Sequence, residues 1–232
     1  MRMASNADER LWNYYQVENT AGFDNGSRDK LRILSKAIRR RTRASDIICE
    51  VGLGNGQLIL SHSREVMGVD LCAGTIERLK SKSEFNGIEL KQGDITNLTS
   101  VCMNKGINVF ITIDVIEHLD DDQLHRACKE LYDILPDNGK WFINVPWNEN
   151  LKNNEIFCPS CHKTFHRVGH KQSFDEKRLT LLMKKEGFEV EFMRKIFPSN
   201  FLLPPPLILL YRLIARIYLQ NYSSLFVLVR KK

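Results

Sequence analysis

A chain of 232 residues with 43% hydrophobic composition is long enough to bury one sizeable core and short for two, so one domain is expected across residues 1–232. Lys and Arg outnumber Asp and Glu by 34 to 28, an excess that suits an anionic partner but is also of the size ordinary solubility requires. No run reaches the ~18 apolar residues of a membrane span, and MRMASNADERLW lacks the apolar stretch of a secretory signal, so a cytoplasmic location is expected.

In chain order, a helical region at 7–43 comes first. Short apolar runs then alternate with longer amphipathic ones, the pattern of parallel strands joined by crossover helices in a doubly wound α/β fold. Strands are expected at Asp46–Val51, Glu65–Val69, Ile88–Gln92, Ile107–Ile113 and Lys140–Val145. Helices are expected at Gly56–Ser63, Ala73–Phe85 and Asp121–Leu135, the last stopped by Pro136-Asp137-Asn138-Gly139. Residues 146–172 show no clear period, and a loop of that length inside a compact domain is usually functional. Ser173-Phe174-Asp175-Glu176 has capping-box spacing, which predicts a helix running towards Gly187. Strands Phe188–Phe197 and Leu225–Val229 close the chain. Between them, Pro204-Pro205-Pro206 introduces an apolar helical pattern at 207–219 with Arg212 and Arg216 one turn apart. That segment suits packing on the sheet, and equally a peripheral membrane contact in which the arginines meet lipid phosphates. Trp12, Tyr14 and Tyr15 are expected to pack in the core or to cover a ligand.

The strongest local signal is Glu50-Val51-Gly52-Leu53-Gly54-Asn55-Gly56, where the first strand meets a helix. Glycines there let the backbone turn tightly and approach a ligand without a Cβ in the way. The third glycine follows the second by two residues, which argues against a dinucleotide cradle. Val69-Asp70 ends the second strand, and a carboxylate at that place accepts from ribose hydroxyls or caps the next turn.

Gln92-Gly93-Asp94-Ile95 ends the third strand, Asp114-Val115-Ile116-Glu117-His118-Leu119 the fourth, and Asn138-Gly139-Lys140 precedes the fifth. In this order and spacing, from Ile47 to Val145, the motifs resemble class I S-adenosylmethionine-dependent methyltransferases. The resemblance implies a Rossmann-like, mostly parallel seven-stranded sheet with an antiparallel last strand. It implies that Gly52, Gly54 and Gly56 shape the methionine side of a pocket, with Glu50 orienting the loop from behind. Asp70 would hold the ribose, Asp94 the adenine amino group, Ile95 the ring, and Asp114 would lie near the methionine moiety. The sulfonium is already an excellent leaving group, so the protein mainly has to align a nucleophile. His118 is the candidate general base, with packing of the following helix as its other use.

Cys158-Pro159-Ser160-Cys161 followed by His166 and His170 gives C-x2-C-x4-H-x3-H, two thiolates and two imidazoles that suit a tetrahedral structural zinc. His162 is the substitute should His170 pack instead. The spacing is also similar to a nucleic-acid-binding zinc knuckle, though Phe157, Phe165, Lys163, Arg167 and Lys171 supply few platforms and charges. A zinc-ordered lid over the ends of the strands is favoured. The expected activity is methyl transfer to a small-molecule acceptor, on the oxygen of a sugar, polyketide-like or quinone-like compound that is lipid-linked if 207–219 meets a membrane. RNA or protein methylation through the zinc loop, and a non-catalytic binding module on the same fold, are the other readings.

Overall fold

The structure, a computed structural model, describes residues 10, 13, 14, 25–62, 65–196 and 224–232. The 207–219 segment, Trp12 and Tyr15 lie outside the described residues.

Helix α1 (Asn25–Arg39) opens the described core and buries Leu34 and Ile38. Seven strands follow in one sheet: β1 (Ile48–Val51), β2 (Val66–Asp70), β3 (Glu89–Gln92), β4 (Val109–Ile113), β5 (Lys140–Pro146), β8 (Phe188–Ile196) and β9 (Ser224–Lys231), with the short hairpin β6 (Glu155–Phe157) and β7 (Thr164–His166) forming a separate pair. The order is β3-β2-β1-β4-β5-β9-β8. β1, β2, β3, β4 and β5 are parallel, and β9 runs antiparallel between β5 and β8, so the expected mixed sheet is present. The central strands are near-continuous apolar runs because both faces are covered.

On one face α1 packs Leu34 and Ile38 with Ile48, Val109, Phe142 and Phe226. On the other, α5 (Asp121–Ile134) and α6 (Glu176–Lys185) insert Leu124, Ala127, Leu131, Leu179 and Met183 among Cys49, Phe110, Trp141 and Val227. Near β3, α2 (Gln57–Leu60) and α3 (Ala73–Lys80) close a smaller cluster around Leu53, Ile59, Leu79 and Phe85. A one-turn helix, α4 (Thr99–Cys102), lies between β3 and β4. α5 starts at a reciprocal capping box between Asp120 and Gln123, with Asp121 and Asp122 in the first turn complementing the helix dipole.

Two expectations after β5 need correction. Residues 146–172 are not periodless: they hold a 3₁₀ turn at Leu151–Asn154 and the β6–β7 hairpin. The cap of α6 is Asp175, whose carboxylate accepts from the Arg178 N–H at 2.6 Å, and not Ser173. The reason lies just upstream, where Trp147 bridges to Phe174 and the Asn148 N–H donates to the Phe174 carbonyl at 2.7 Å. Phe174 is fully buried in this extended pairing, so the helix begins only after it. Among the described residues no helix is long and apolar enough to cross a membrane.

Candidate cofactor and acceptor site

A cleft of about 300 Å³ opens over the carboxyl ends of β1, β2, β3 and β4, where ligands bind in doubly wound sheets. Its floor is the turn after β1. Gly52 has φ +85°, and a Cβ there would stand 2.4 Å from Val115 Cγ2. Gly54 has φ +51° with nothing within 4 Å of a built Cβ, and it lines the cleft. Gly52 thus permits the packing of the loop, whereas Gly54 leaves room for an occupant. Gly56 caps α2 and faces Phe85 and Leu79, and it does not line the cleft as expected.

The carboxylates of the wall have distinct surroundings. Asp70 is 3% exposed, and its oxygens accept from the Leu53 N–H at 2.8 Å and the Cys72 N–H at 2.9 Å. It therefore caps the turn and lines the cleft at once, and with the Gly54 N–H as a third donor its oxygens still keep some accepting capacity. Burial raises its pKa against the opposing pull of these N–H donors. Glu50, also 3% exposed, is pushed well above the usual carboxylate range by burial and then by Asp70. Its Oε2 is buried without a hydrogen-bond partner. Asp94 accepts from the Thr96 N–H at 2.8 Å, which fixes it at the rim, and Ile95 beside it presents a largely buried apolar side chain to the same cleft. Asp114 sits at φ +53°, a left-handed conformation rare outside glycine. It accepts from Asn144 Nδ2 at 3.0 Å and pairs with Lys30 Nζ from α1.

Imidazoles also line the cleft. His118 Nδ1 donates to the Gly169 carbonyl at 3.2 Å, and burial followed by the charge of His170 pushes its pKa down to about 3. The expected base is thus held neutral. Beside it Glu117 is fully buried, and neither carboxylate oxygen meets hydrogen-bond geometry. Burial, then Asp114, pushes it well above the usual range. His170 lines the cleft, edge-on to His118 at 4.6 Å between centroids and stacked on His166 at 4.7 Å. Its Nδ1 lies 2.5 Å from Glu149 Oε2.

The expected zinc set of Cys158, Cys161, His166 and His170 is not brought together. In the hairpin Glu155 pairs with His166, Ile156 with Phe165 and Phe157 with Thr164, and the Cys158 N–H donates to the Lys163 carbonyl one step further. Three residues of strand put the cysteine end roughly 10 Å from His166 along the hairpin, beyond the span of one ion with bonds near 2.0–2.3 Å. Among the described residues the clusters with metal-ligating atoms in reach of one another are Glu117, His118, His170 and Glu149, His166, His170. Neither holds a cysteine. His162, at φ +56° in the hairpin turn, lies in neither cluster. At the tip, hydrogen bonding to the Cys161 backbone and thiol lowers the Cys158 pKa. Tautomers at the other end also oppose a metal. The His170 backbone N–H donates to His166 Nδ1 at 3.1 Å, which puts the His166 proton on Nε2, facing Glu149 Oε1 at 3.3 Å.

The sequence reading missed Lys30, Glu117 and Glu149. Glu117 stood inside a quoted motif, but nothing in the pattern told a buried carboxylate from a helix-start acid. Lys30 and Glu149 had no local signal, because the partner of Lys30 lies 84 positions on and those of Glu149 arrive on the hairpin's last strand and the loop beyond it.

Residues 48–139 match the family described as "Methyltransferase domain". No curated protein matches the chain significantly. Among solved structures, a possible histamine N-methyltransferase from Thermotoga maritima is similar at TM-score 0.68 and 18% identity, covering 96% of this chain and 99% of that one. The 1,6-didemethyltoxoflavin-N1-methyltransferase of Burkholderia thailandensis is similar at TM-score 0.64 and 12% identity, covering 100% and 92%. A complex of the Trm112 methyltransferase activator with a methyltransferase from Haloferax volcanii gives TM-score 0.63 and 13% identity, covering 99% of each chain. The match to that family covers residues 48–139, and over most of its length the chain has the fold of the S-adenosylmethionine-dependent methyltransferases.

Proposed function

We propose that the protein transfers a methyl group from S-adenosylmethionine to the oxygen of a small-molecule acceptor, a sugar, polyketide-like or quinone-like compound, lipid-linked where the acceptor is membrane-borne. The observation that carries this reading is one cleft with two kinds of lining: Glu50, Asp70, Asp94 and Asp114 with the glycine turn, and His118, Gly169 and His170. The carboxyl groups that line the cleft suit a cofactor carrying hydroxyls, an amino group and a positive charge. When bound, the cofactor supplies an activated methyl group on a good leaving group. The chain's own residues hold and align. Asp70 offers its remaining lone pairs to hydroxyls, Asp94 accepts from an amino group beside Ile95, and Gly54 keeps the floor open. The Burkholderia relative holds S-adenosylhomocysteine together with its acceptor, which supports placing both ligands in one cleft here.

Exposed Ile156, Phe157 and Phe165 on the hairpin favour a second reading, methylation of a macromolecule with the hairpin as its recognition element. Calorimetry with S-adenosylmethionine and S-adenosylhomocysteine tests the cofactor, and methyl-labelled cofactor offered with phenols, sugars, quinols and RNA tests the acceptor. Binding with label on a small hydroxyl compound is expected. Absence of cofactor binding overturns the enzyme reading, and label confined to RNA overturns the small-molecule one.

A further inference from the structure

Glu149 follows β5, and His166 and His170 come from the hairpin's last strand and the loop beyond it. Their side chains are 13%, 6% and 12% exposed. Both rings address the one carboxylate: His170 through Nδ1 at 2.5 Å, His166 through Nε2 at 3.3 Å. Burial pushes Glu149 up, but its hydrogen bond and attraction to His170 outweigh this and hold it below the usual range. A carboxylate that accepts from Nδ1 fixes a proton on that nitrogen, so in the neutral ring the lone pair lies on Nε2. Since His170 lines the cleft, Nε2 is the nitrogen left to meet an acceptor. His118, on the same wall, is spoken for by Gly169 and is too weak a base at neutral pH.

We propose that His170, oriented by Glu149, is the group that takes the acceptor's proton during methyl transfer. The inference rests on the methyltransferase reading above and names the base within that same cleft. As an oxygen lone pair of the acceptor forms its bond to the methyl carbon, the carbon–sulfur bond breaks and its electron pair stays on sulfur. The O–H proton passes to His170 Nε2. The resulting imidazolium keeps its Nδ1 proton on Glu149 and later yields the Nε2 proton to water. Glu149 is a positioning residue. The titratable groups facing His170 are Glu149, His166, His118 and Glu117, with Asp114 and Lys30 beyond them.

The test uses the full chain with 15N-labelled histidine and S-adenosylhomocysteine as the probe. His170 is expected as the Nδ1–H tautomer, with a strongly downfield Nδ1 proton that is lost in Glu149→Gln, and its Nε2 resonance is expected to move when the probe binds. An Nε2–H tautomer, or a spectrum unchanged in Glu149→Gln, overturns the assignment, as does one zinc per chain perturbing His166 and His170 together. With an acceptor that the wild-type protein methylates, His170→Gln is expected to lower kcat by about 100-fold or more, with KM for S-adenosylmethionine little changed. A variant that keeps wild-type kcat overturns it. Failure of the wild-type chain to bind the probe in calorimetry is the separate result that removes the methyltransferase reading, and the proposal with it.

Discussion

Lys30 of α1 reaches across 84 positions of sequence to pair with Asp114 at the end of β4, and both side chains line the cleft. The pair is partly exposed, at 19% and 37%, so it contributes at most about 1 kcal/mol to stability after solvent screening. Its larger effect is on what binds. S-adenosylmethionine carries one more positive charge than S-adenosylhomocysteine, and the Lys30 ammonium opposes that charge. Lys30→Ala is expected to tighten S-adenosylmethionine several-fold, on the order of 1 kcal/mol, with a smaller change for the demethylated product. Paired calorimetric titrations check it, and equal shifts for the two ligands contradict it.

Asp70 both caps its turn and faces the cleft, so its substitution has two readouts. Asp70→Asn replaces one acceptor with a donor against the Leu53 or Cys72 N–H, at a cost of about 1–3 kcal/mol in stability. Cofactor affinity should fall as well. Thermal unfolding and calorimetry of the same preparation separate the two, and a variant with native stability removes the capping role.

Gly52 and Gly54 are expected to respond differently to alanine. Gly52→Ala drives a Cβ into Val115 and should destabilise the fold. Gly54→Ala meets only open space and should cost about 1 kcal/mol in backbone strain, while weakening the cofactor through crowding of the cleft. Melting temperature therefore falls more for Gly52→Ala, and the ratio of lost affinity to lost stability is larger for Gly54→Ala.

Glu117 gives the fold a pH dependence whose sign is set by its raised pKa. A carboxyl whose folded pKa exceeds its unfolded value contributes stability in full below the unfolded pKa and loses it as pH rises through the folded one. Glu117→Gln should therefore change the melting temperature little near pH 4 and raise it above neutral pH. Equal destabilisation at both ends of the range would show that the ionised carboxylate is needed.

The hairpin register separates the cysteines from the histidines, which bears on metal removal. Purified protein is expected to carry no stoichiometric zinc, and chelator should leave its unfolding temperature unchanged. Cys158→Ser should behave as wild type in cofactor binding. One tightly held zinc per chain, lost together with hairpin protection in hydrogen exchange, would restore the four-ligand site.

The glycine turn and the carboxyl groups that line the cleft were legible because they are local. The turn after β1, Asp70, Asp94 and Asp114 each stand within a few residues of a strand end, so the strand pattern alone carries them to one edge of the sheet. The His170 side of the cleft was not legible in this way. Cys158, Cys161, His166 and His170 lie close in sequence, and proximity suggested a common ion, but pairing Glu155 with His166 converts short sequence separation into distance. The cap of α6 was misplaced for a related reason, since Trp147 claims Phe174 from far upstream. Glu149 had no pattern to betray it. Its meaning depends on two rings delivered by the hairpin's return strand.

The Trp147–Phe174 bridge makes the two ends of the segment 148–173 neighbours. A piece of chain that leaves and rejoins the scaffold at one point can change length or content at little entropic cost, because the closure is already fixed by the scaffold. Here that piece carries Glu149, the hairpin and His170, whereas Asp70 ends β2 and Asp94 and Asp114 closely follow β3 and β4. The lining that His170 gives the cleft is thereby separable in sequence from the lining given by the strand ends. Exchanging the loop between Trp147 and Phe174 is therefore expected to change the His170 side of the cleft while leaving the glycine turn and Asp70 in place.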